Sequence, residues 1–295
     1  MIIDLHIHTN ISDGALSPKE VIDEAWKNGV SVISITDHDT IDSYTLELFS
    51  YAKSKNIELI CGVEISTKNE KAGIHILGYN FDLNNKELKE TLFGIKNSRH
   101  EYLHNVAKKL NELGYLVNVE KLDKIDSVTK AHIALDIVKN EKNNEKLMLD
   151  FGHIPNKGEF IEAIMNENCP AYVEKRTPTP KEVARVIRKA GGKVVLAHPV
   201  AYVYQDNFTD EDILKLVREM KPDGIEANYL FVDANGKIID ETDKWNKFAK
   251  ENDLFVTVGT DFHRKEGVYK EIGFTNTDFK LEDEVIKEII KNISL

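Results

Sequence analysis

Histidines and carboxylates recur in or just after the apolar runs of this sequence. Asp4, His6 and His8 alternate along residues 2–8. Extended backbone turns successive side chains to opposite faces, so these three are expected to share one face. Three ionisable groups on one face of a buried strand are costly without a partner, and a metal ion is a partner that suits imidazoles and carboxylates. The same residue types return at Asp37-His38-Asp39, at Glu64 in Gly62-Val63-Glu64, at His75, at His198 in Ala197-His198-Pro199, and at Asp261-Phe262-His263. Asp13, in Ser12-Asp13-Gly14, falls in the loop after the first run, within reach of the same rim. The competing reading makes each residue ordinary: Asp37 and Asp39 as helix caps, His75 as a satisfied core histidine, His198 packed beside a turn. It must explain every segment separately, and it does worst at Asp4–His8.

Those positions need elements that bring them together. Apolar runs at 2–8, 30–36, 57–66, 74–79, 194–198, 224–228 and 255–260 read as strands. Helices are expected at about 41–55, 180–190, 213–220, 243–251 and 282–293. A further helix starts at Ser17-Pro18-Lys19-Glu20, where Ser17 caps, Pro18 takes the first helical position and Glu20 closes a capping box. Repeated strand–helix units imply an α/β fold with a parallel sheet and helices outside, barrel or doubly wound. In such sheets, functional sites gather at the carboxyl ends of strands. Between residues 84 and 167 the pattern is helical and charged. There Leu88, Leu92, Ile95, Arg99, Leu103 and Val106 fall on one helical face, and the polar stretch 140–146 reads as a loop. The expected organisation is a first barrel part at 1–82, a helical insertion at 83–169 covering the active site, and a second barrel part at 170–295.

The chain has 295 residues, 41% of them hydrophobic, enough for one large domain or one domain with an insertion. A net charge of −11 argues against a passive binder of duplex nucleic acid, which needs a basic footprint, but suits an enzyme whose positive charge is recruited as metal ions. No apolar run approaches the roughly 18 residues of a membrane span. The start Met1-Ile2-Ile3-Asp4 lacks the basic segment of a secretory signal, so a cytoplasmic location away from membranes is expected. The two cysteines, Cys61 and Cys169, have no metal-binding spacing, and Cys61 reads as a small core residue. The composition specifies no oligomeric state.

The runs Asp4-Leu5-His6-Ile7-His8-Thr9 with Ser12-Asp13-Gly14, Ile35-Thr36-Asp37-His38, Gly62-Val63-Glu64, Ala197-His198-Pro199 and Gly259-Thr260-Asp261-Phe262-His263 resemble, in order, the motifs of the PHP (polymerase and histidinol phosphatase) family. Length, insertion and Pro170-Ala171-Tyr172-Val173 are most similar to its free-standing members acting on nucleotides and short oligonucleotides. The resemblance implies a distorted (β/α)7 barrel with an α-helical insertion, holding up to three divalent metal ions. It implies a first site of His6, His8, Glu64 and Asp261, and a second in which Glu64 bridges to His75 and His198. Asp13, His38 and His263 would form the third. Other branches often carry His where this chain has Asp13, and the harder oxygen ligand favours Mn, with Fe or Mg, over Zn. Asp4 and Asp37 are expected to orient ligand imidazoles, with Asp39 either joining them or capping a helix. Arg99 and His132 are expected to contact substrate phosphates from the insertion, against the plainer reading of Arg99 as a surface residue.

The implied activity is hydrolysis of nucleotide phosphate esters, for example nucleoside 3′,5′-bisphosphates, by metal-activated hydroxide. An alternative is a 5′→3′ exonuclease on short RNA or DNA, which a basic track through Lys175, Arg176, Lys181, Arg185 and Arg188 would favour. A third is a histidinol-phosphate phosphatase. A reading of another class, a non-catalytic metal-stabilised scaffold or accessory module, fits poorly with a full ligand set. His100, His104 and His153 are expected on the surface, and Tyr172 in a core rather than a pocket.

Overall fold

The computed structural model describes residues 1–125, 128–174, 176–233, 236–265, 271–273 and 281–294. Two compact units emerge: Met1–Leu92 with Pro178–Leu295, and Phe93–Thr177. The sequence-based boundaries at 82/83 and 169/170 fall somewhat earlier in the chain than both of these joints.

The first unit is built on a seven-stranded sheet of order β1-β2-β3-β4-β5-β6-β9. Its strands are β1 (Ile3–Ile7), β2 (Val32–Ile35), β3 (Glu58–Lys68), β4 (Gly73–Tyr79), β5 (Lys193–Leu196), β6 (Gly224–Asn228) and β9 (Phe255–Val258). A bridge between Ile7 and Phe262, with His8 N donating to the Phe262 carbonyl at 2.9 Å, brings the last strand's end to the first and nearly closes the barrel. A separate hairpin pairs β7 (Leu230–Val232) with β8 (Ile238–Asp240). Outside run α1 (Pro18–Lys27), α2 (Leu46–Ser54), α8 (Pro180–Lys189), α9 (Pro199–Gln205), α10 (Asp210–Met220), α11 (Thr242–Glu251) and α12 (Asp283–Ser294). Helices α1, α8 and α10 each begin with a reciprocal capping box, Ser17/Glu20, Thr179/Glu182 and Thr209/Asp212, which satisfies donors that the first turn leaves unpaired.

Two features depart from a plain parallel sheet. Strand β4 is antiparallel to both β3 and β5. Only residues 69–72 separate β3 from β4, too few for the crossover that a parallel pair requires. And β1 pairs with β2 as Ile3–Val32 and Asp4–Ile33, then resumes at Ile7–Ile35, so one extra residue is accommodated between Asp4 and Ile7. As a result Ile3 and Leu5 pack with Val32, Leu77, Val195 and Val258 in one cluster, while Ile7 packs with Val21, Ile22 and Ala25 of α1. Strict alternation fails across the bulge, so Asp4 does not join His6 and His8, whose rings still meet at one site. Helix α2 starts at Leu46 behind its cap Thr45, later than the expected residue 41. Cys61 is half-buried, its thiol donating to the Phe81 carbonyl, and both cysteines are free.

In the second unit, α3 (Lys86–Glu112) enters from the first and is followed by α4 (Val119–Leu122), α5 (Lys130–Lys139), α6 (Asn144–Phe151) and α7 (Lys157–Phe160). Tyr102, Leu103, Val106, Leu110, Tyr115, Ile133, Ile137, Leu147 and Phe160 form its core. The loop expected at 140–146 is instead a 3-10 turn, Glu141–Asn143, leading into α6. Asn143 is the reason: its buried amide donates to the carbonyls of Leu116 and Ile137 and accepts from Leu116 N, so a polar segment is drawn inside.

Candidate metal centre

The first unit brings its ionisable residues to one rim. His6 and His8 stand at the end of β1, and Asp13 lies on the loop that follows. His38 comes after β2, where it bridges to Glu64 of β3. The reversal of β4 matters here. His75 lies near the start of its strand, which an antiparallel run places at the rim where its neighbours β3 and β5 end. His198 follows β5, and Asp261 and His263 follow β9. Two motif glycines make room. A Cβ at Gly14 would lie 2.4 Å from the His8 carbonyl oxygen, and one at Gly259 would lie 2.3 Å from His6 Cβ.

Glu64 is the hub. Its Oε2 lies 3.3 Å from His6 Nε2, 3.1 Å from His8 Nε2 and 3.1 Å from His38 Nδ1. Its Oε1 lies 2.9 Å from His75 Nδ1 and 3.1 Å from His198 Nε2. Asp261 Oδ1 stands 3.4 Å from His6 Nε2 and 3.1 Å from His8 Nε2. Asp13 reaches His263 Nε2 at 3.4 Å, His8 Nδ1 at 3.6 Å and His38 Nε2 at 3.8 Å. Three ion-sized groupings result: His6, His8, Glu64 and Asp261; His8, Asp13, His38 and His263; His38, Glu64 and His75. His8 and His38 are each shared by two groupings, and His198 stands beside them through Glu64.

The charges are mutually adjusted. Burial alone would lower His6, but Glu226, Glu64 and Asp261 outweigh it and raise the ring well above its ordinary value. Burial likewise opposes His8, yet Asp261 and Glu64 hold it at about 10. Burial drives His38 down to about 3, with Glu64 opposing and His8 reinforcing. Burial would raise Glu64 and Asp261, but the surrounding histidines pull both below the usual carboxylate range.

These donors fit metal ions. Glu64 Oε2, Asp261 Oδ1, His8 Nδ1 and His198 Nδ1 are buried without a hydrogen bond, although Glu64 Oε2 and Asp261 Oδ1 lie within 3.4 Å of imidazole nitrogens. His6 Nε2 and His8 Nε2 face one another at 3.2 Å. Two ligand atoms each about 2.1 Å from one ion at a tetrahedral angle stand about 3.4 Å apart, which is the spacing of this set. Atoms that approach without hydrogen-bond geometry are aimed at a common point, not at each other.

The second layer differs from expectation. The Asp4 carboxylate accepts from Thr260 N and Oγ1 and from Gly273 N, and orients no imidazole. Burial raises it to about 6 against those hydrogen bonds. Asp37 accepts from Thr9 N, Thr9 Oγ1, Ser12 Oγ and Ser43 Oγ, so it holds the loop that carries Asp13 rather than a ring. Asp39 is not a helix cap; it accepts from Ser66 N at 2.7 Å. The carboxylate that does orient an imidazole is Glu226 of β6, at 3.0 Å from His6 Nδ1. Sequence reasoning missed it. The one available signal was an ionisable residue in the middle of the apolar run Gly224–Asn228.

Arg99 and His132 lie in the second unit. Arg99 is buried, not a surface arginine. His132 Nδ1 accepts from Thr129 N, closing the capping box of α5. Of the basic track, Arg185 pairs with Glu87 at 2.7 Å, Arg188 donates to the carbonyls of Met220 and Lys221, and Lys175 lies outside the described residues. Tyr172 is half-buried, and its carbonyl accepts from Lys109.

The PHP domain family matches residues 4–193. The chain belongs to the PHP family. A 5′-3′ exoribonuclease of Haemophilus influenzae is 33% identical over 265 residues, covering 88% of this chain and 89% of that protein. A 3′,5′-nucleoside bisphosphate phosphatase of Chromobacterium violaceum is 26% identical, covering 90% or more of both chains. Among solved structures, a protein of Bifidobacterium adolescentis assigned to the metal-dependent phosphoesterases superposes with a TM-score of 0.70 at 20% identity, over 98% of this chain and 96% of its own. That likeness carries the barrel fold of the family to this PHP chain.

Proposed function

We propose that this PHP protein hydrolyses the phosphate esters of nucleotides, with nucleoside 3′,5′-bisphosphates and the 5′ ends of short oligoribonucleotides as its substrate class. That it is a metal-dependent phosphoric ester hydrolase follows from family membership together with the donor set. The observation that carries the reading is the convergence of imidazoles on both oxygens of buried Glu64. Up to three divalent ions, Mn first on account of the Asp13 oxygen, would be held by His6, His8, Asp13, His38, Glu64, His75, His198, Asp261 and His263. Such ions supply an activated water near neutral pH and positive charge for phosphate oxygens. The chain's own groups do the rest. Asp37 fixes the Thr9–Asp13 loop through Thr9, Ser12 and Ser43, so that Asp13 stands in place before ligand arrives. Glu64 and Asp261 stay ionised, held below the usual carboxylate range by the surrounding rings.

The exonuclease reading has its own support in the Haemophilus influenzae relative. One chemistry serves both, since in each water adds to phosphorus and the P–O bond to a nucleotide's 3′ oxygen breaks, that oxygen leaving as the hydroxyl. Among the described residues, no helix is long and apolar enough to cross a membrane. The test is phosphate release by purified protein with Mn²⁺ from adenosine 3′,5′-bisphosphate, AMP, histidinol phosphate and a 5′-phosphorylated RNA oligomer. Release from the bisphosphate and mononucleotide ladders from the RNA are expected, both lost in His8→Ala. Cleavage of histidinol phosphate alone would overturn the nucleotide assignment.

A further inference from the structure

Glu226 presents a chemistry that a merely structural buried carboxylate does not need. Its Oε1 and Oε2 lie 3.0 and 3.2 Å from His6 Nδ1. Its Oε2 also accepts from the backbone N–H of His198 at 2.8 Å. It is 1% exposed, so its oxygens have these partners in place of water. We propose that Glu226 is a positioning residue that sets two metal ligands at once, the ring of His6 and the backbone of His198. The proposal rests on the reading that the cluster binds divalent ions.

The two contacts act on different things. With Nδ1–H donated to Glu226, the His6 ring presents Nε2 as its lone pair, the atom that faces His8, Glu64 and Asp261. At His198 the carboxylate holds a backbone with φ 25° and ψ 62°, left-handed and followed by Pro199. A non-glycine residue adopts this only when its surroundings impose it. That backbone places the His198 ring against Glu64 Oε1. Glu226 thus ties β1 to the β5 end and joins ligands on both oxygens of Glu64. Gly259 gives an independent sign that the arrangement is built: a Cβ there would lie 2.5 Å from Glu226 Oε1 as well as 2.3 Å from His6 Cβ. The close approach of β6, β1 and the end of β9 at this point requires glycine.

A carboxylate accepts from both donors, whereas an amide has one acceptor oxygen and would set its NH₂ against the other donor. Glu226→Gln therefore keeps the shape and loses one partner. Glu226→Asp keeps the charge and falls short of one partner. Metal-free wild type and both variants, with folding checked by circular dichroism and melting, would be titrated with Mn²⁺ by calorimetry and electron paramagnetic resonance. Wild type is expected to bind. Glu226→Gln is expected to bind about 10–100-fold more weakly with an altered resonance spectrum, the range for lost outer partners of ligands, and Glu226→Asp to recover part of the loss. Wild-type affinity and spectrum in Glu226→Gln would overturn the proposal while leaving the metal centre standing. Wild-type protein that binds no Mn²⁺ would overturn the metal centre itself. A measurement without variants stands beside these: in Zn²⁺-loaded protein with ¹⁵N-labelled histidine, His6 is expected as the Nδ1–H tautomer. Finding Nε2–H would overturn the proposal even if the variants did not fold.

Discussion

The barrel and the helical insertion use histidine in opposite ways. In the barrel, His6 and His8 are fully buried, and Glu64 Oε2 and Asp261 Oδ1 approach their Nε2 atoms without making a hydrogen bond. In the insertion, His100 and His104 each meet Asp123 at 3.0 Å near the surface, His153 lies 3.6 Å from Glu159, and His132 closes a helix cap. The insertion's contacts are locally complete. The barrel's form three sets of donor atoms, each close enough together to share one ion. Counting histidines would treat the two regions alike; asking whether each ring's partner satisfies it separates them.

The largest test of that difference is His8→Ala. His8 belongs to two of the three ion-sized groupings, so its loss opens both. Activity with Mn²⁺ is expected to fall by more than about 100-fold, beyond the range seen when only outer partners are removed. Retained activity would mean that the buried rings are structural after all. Chelation follows. Wild-type protein at a metal concentration about 100 times its dissociation constant gains about 2.7 kcal/mol from binding. A chelator is therefore expected to abolish activity and lower the melting temperature of wild type, and to leave the melting temperature of His8→Ala little changed. Asp37→Asn is expected to cost less, about 10–100-fold in activity. It loosens the loop carrying Asp13 without removing a ligand, and a kcat/KM within twofold of wild type would refute that role.

Much of the barrel was legible because short apolar runs ending in His or Asp mark strands whose ends carry function. The resemblance then ordered them. What escaped detection has physical causes. Alternation assumes an unbroken strand, and the extra residue between Asp4 and Ile7 cancelled it, so Asp4 went to Thr260 and Gly273. The reversal of β4 was recoverable from the four-residue link at 69–72, which parallel pairing does not allow. Glu226 has no motif around it; its role exists only once β6 lies beside His6. In the insertion, a polar stretch read as a loop because burial of Asn143 depends on carbonyls at Leu116 and Ile137 that sequence does not place nearby.

That last residue gives the insertion's own test. Asn143→Ala takes the acceptor from Leu116 N–H and leaves the Leu116 and Ile137 carbonyls with Asn140 as their remaining donor, at a cost of about 1–3 kcal/mol. The melting temperature should fall, while Mn²⁺ affinity, measured below the transition, stays at the wild-type value, since every candidate ligand belongs to the other unit. A loss of metal affinity would break the separation between the two regions.

The smallest expected effect is that of His104→Ala. Its ring is 56% exposed, and the pair with Asp123 is shared with His100, whose hydrogen bond is the chief cause holding Asp123 below the usual carboxylate range. A depressed carboxylate contributes stability above its unfolded value and loses it as pH falls through the folded one, and His100 remains as Asp123's partner when His104 is removed. Exposed pairs are screened by water and salt. His104→Ala is expected to change stability by no more than about 0.5 kcal/mol, and to leave both Mn²⁺ binding and phosphate release unchanged. A loss of phosphate release with metal binding intact would show that this histidine serves the substrate, and local pairing would then no longer tell the histidines of the two regions apart.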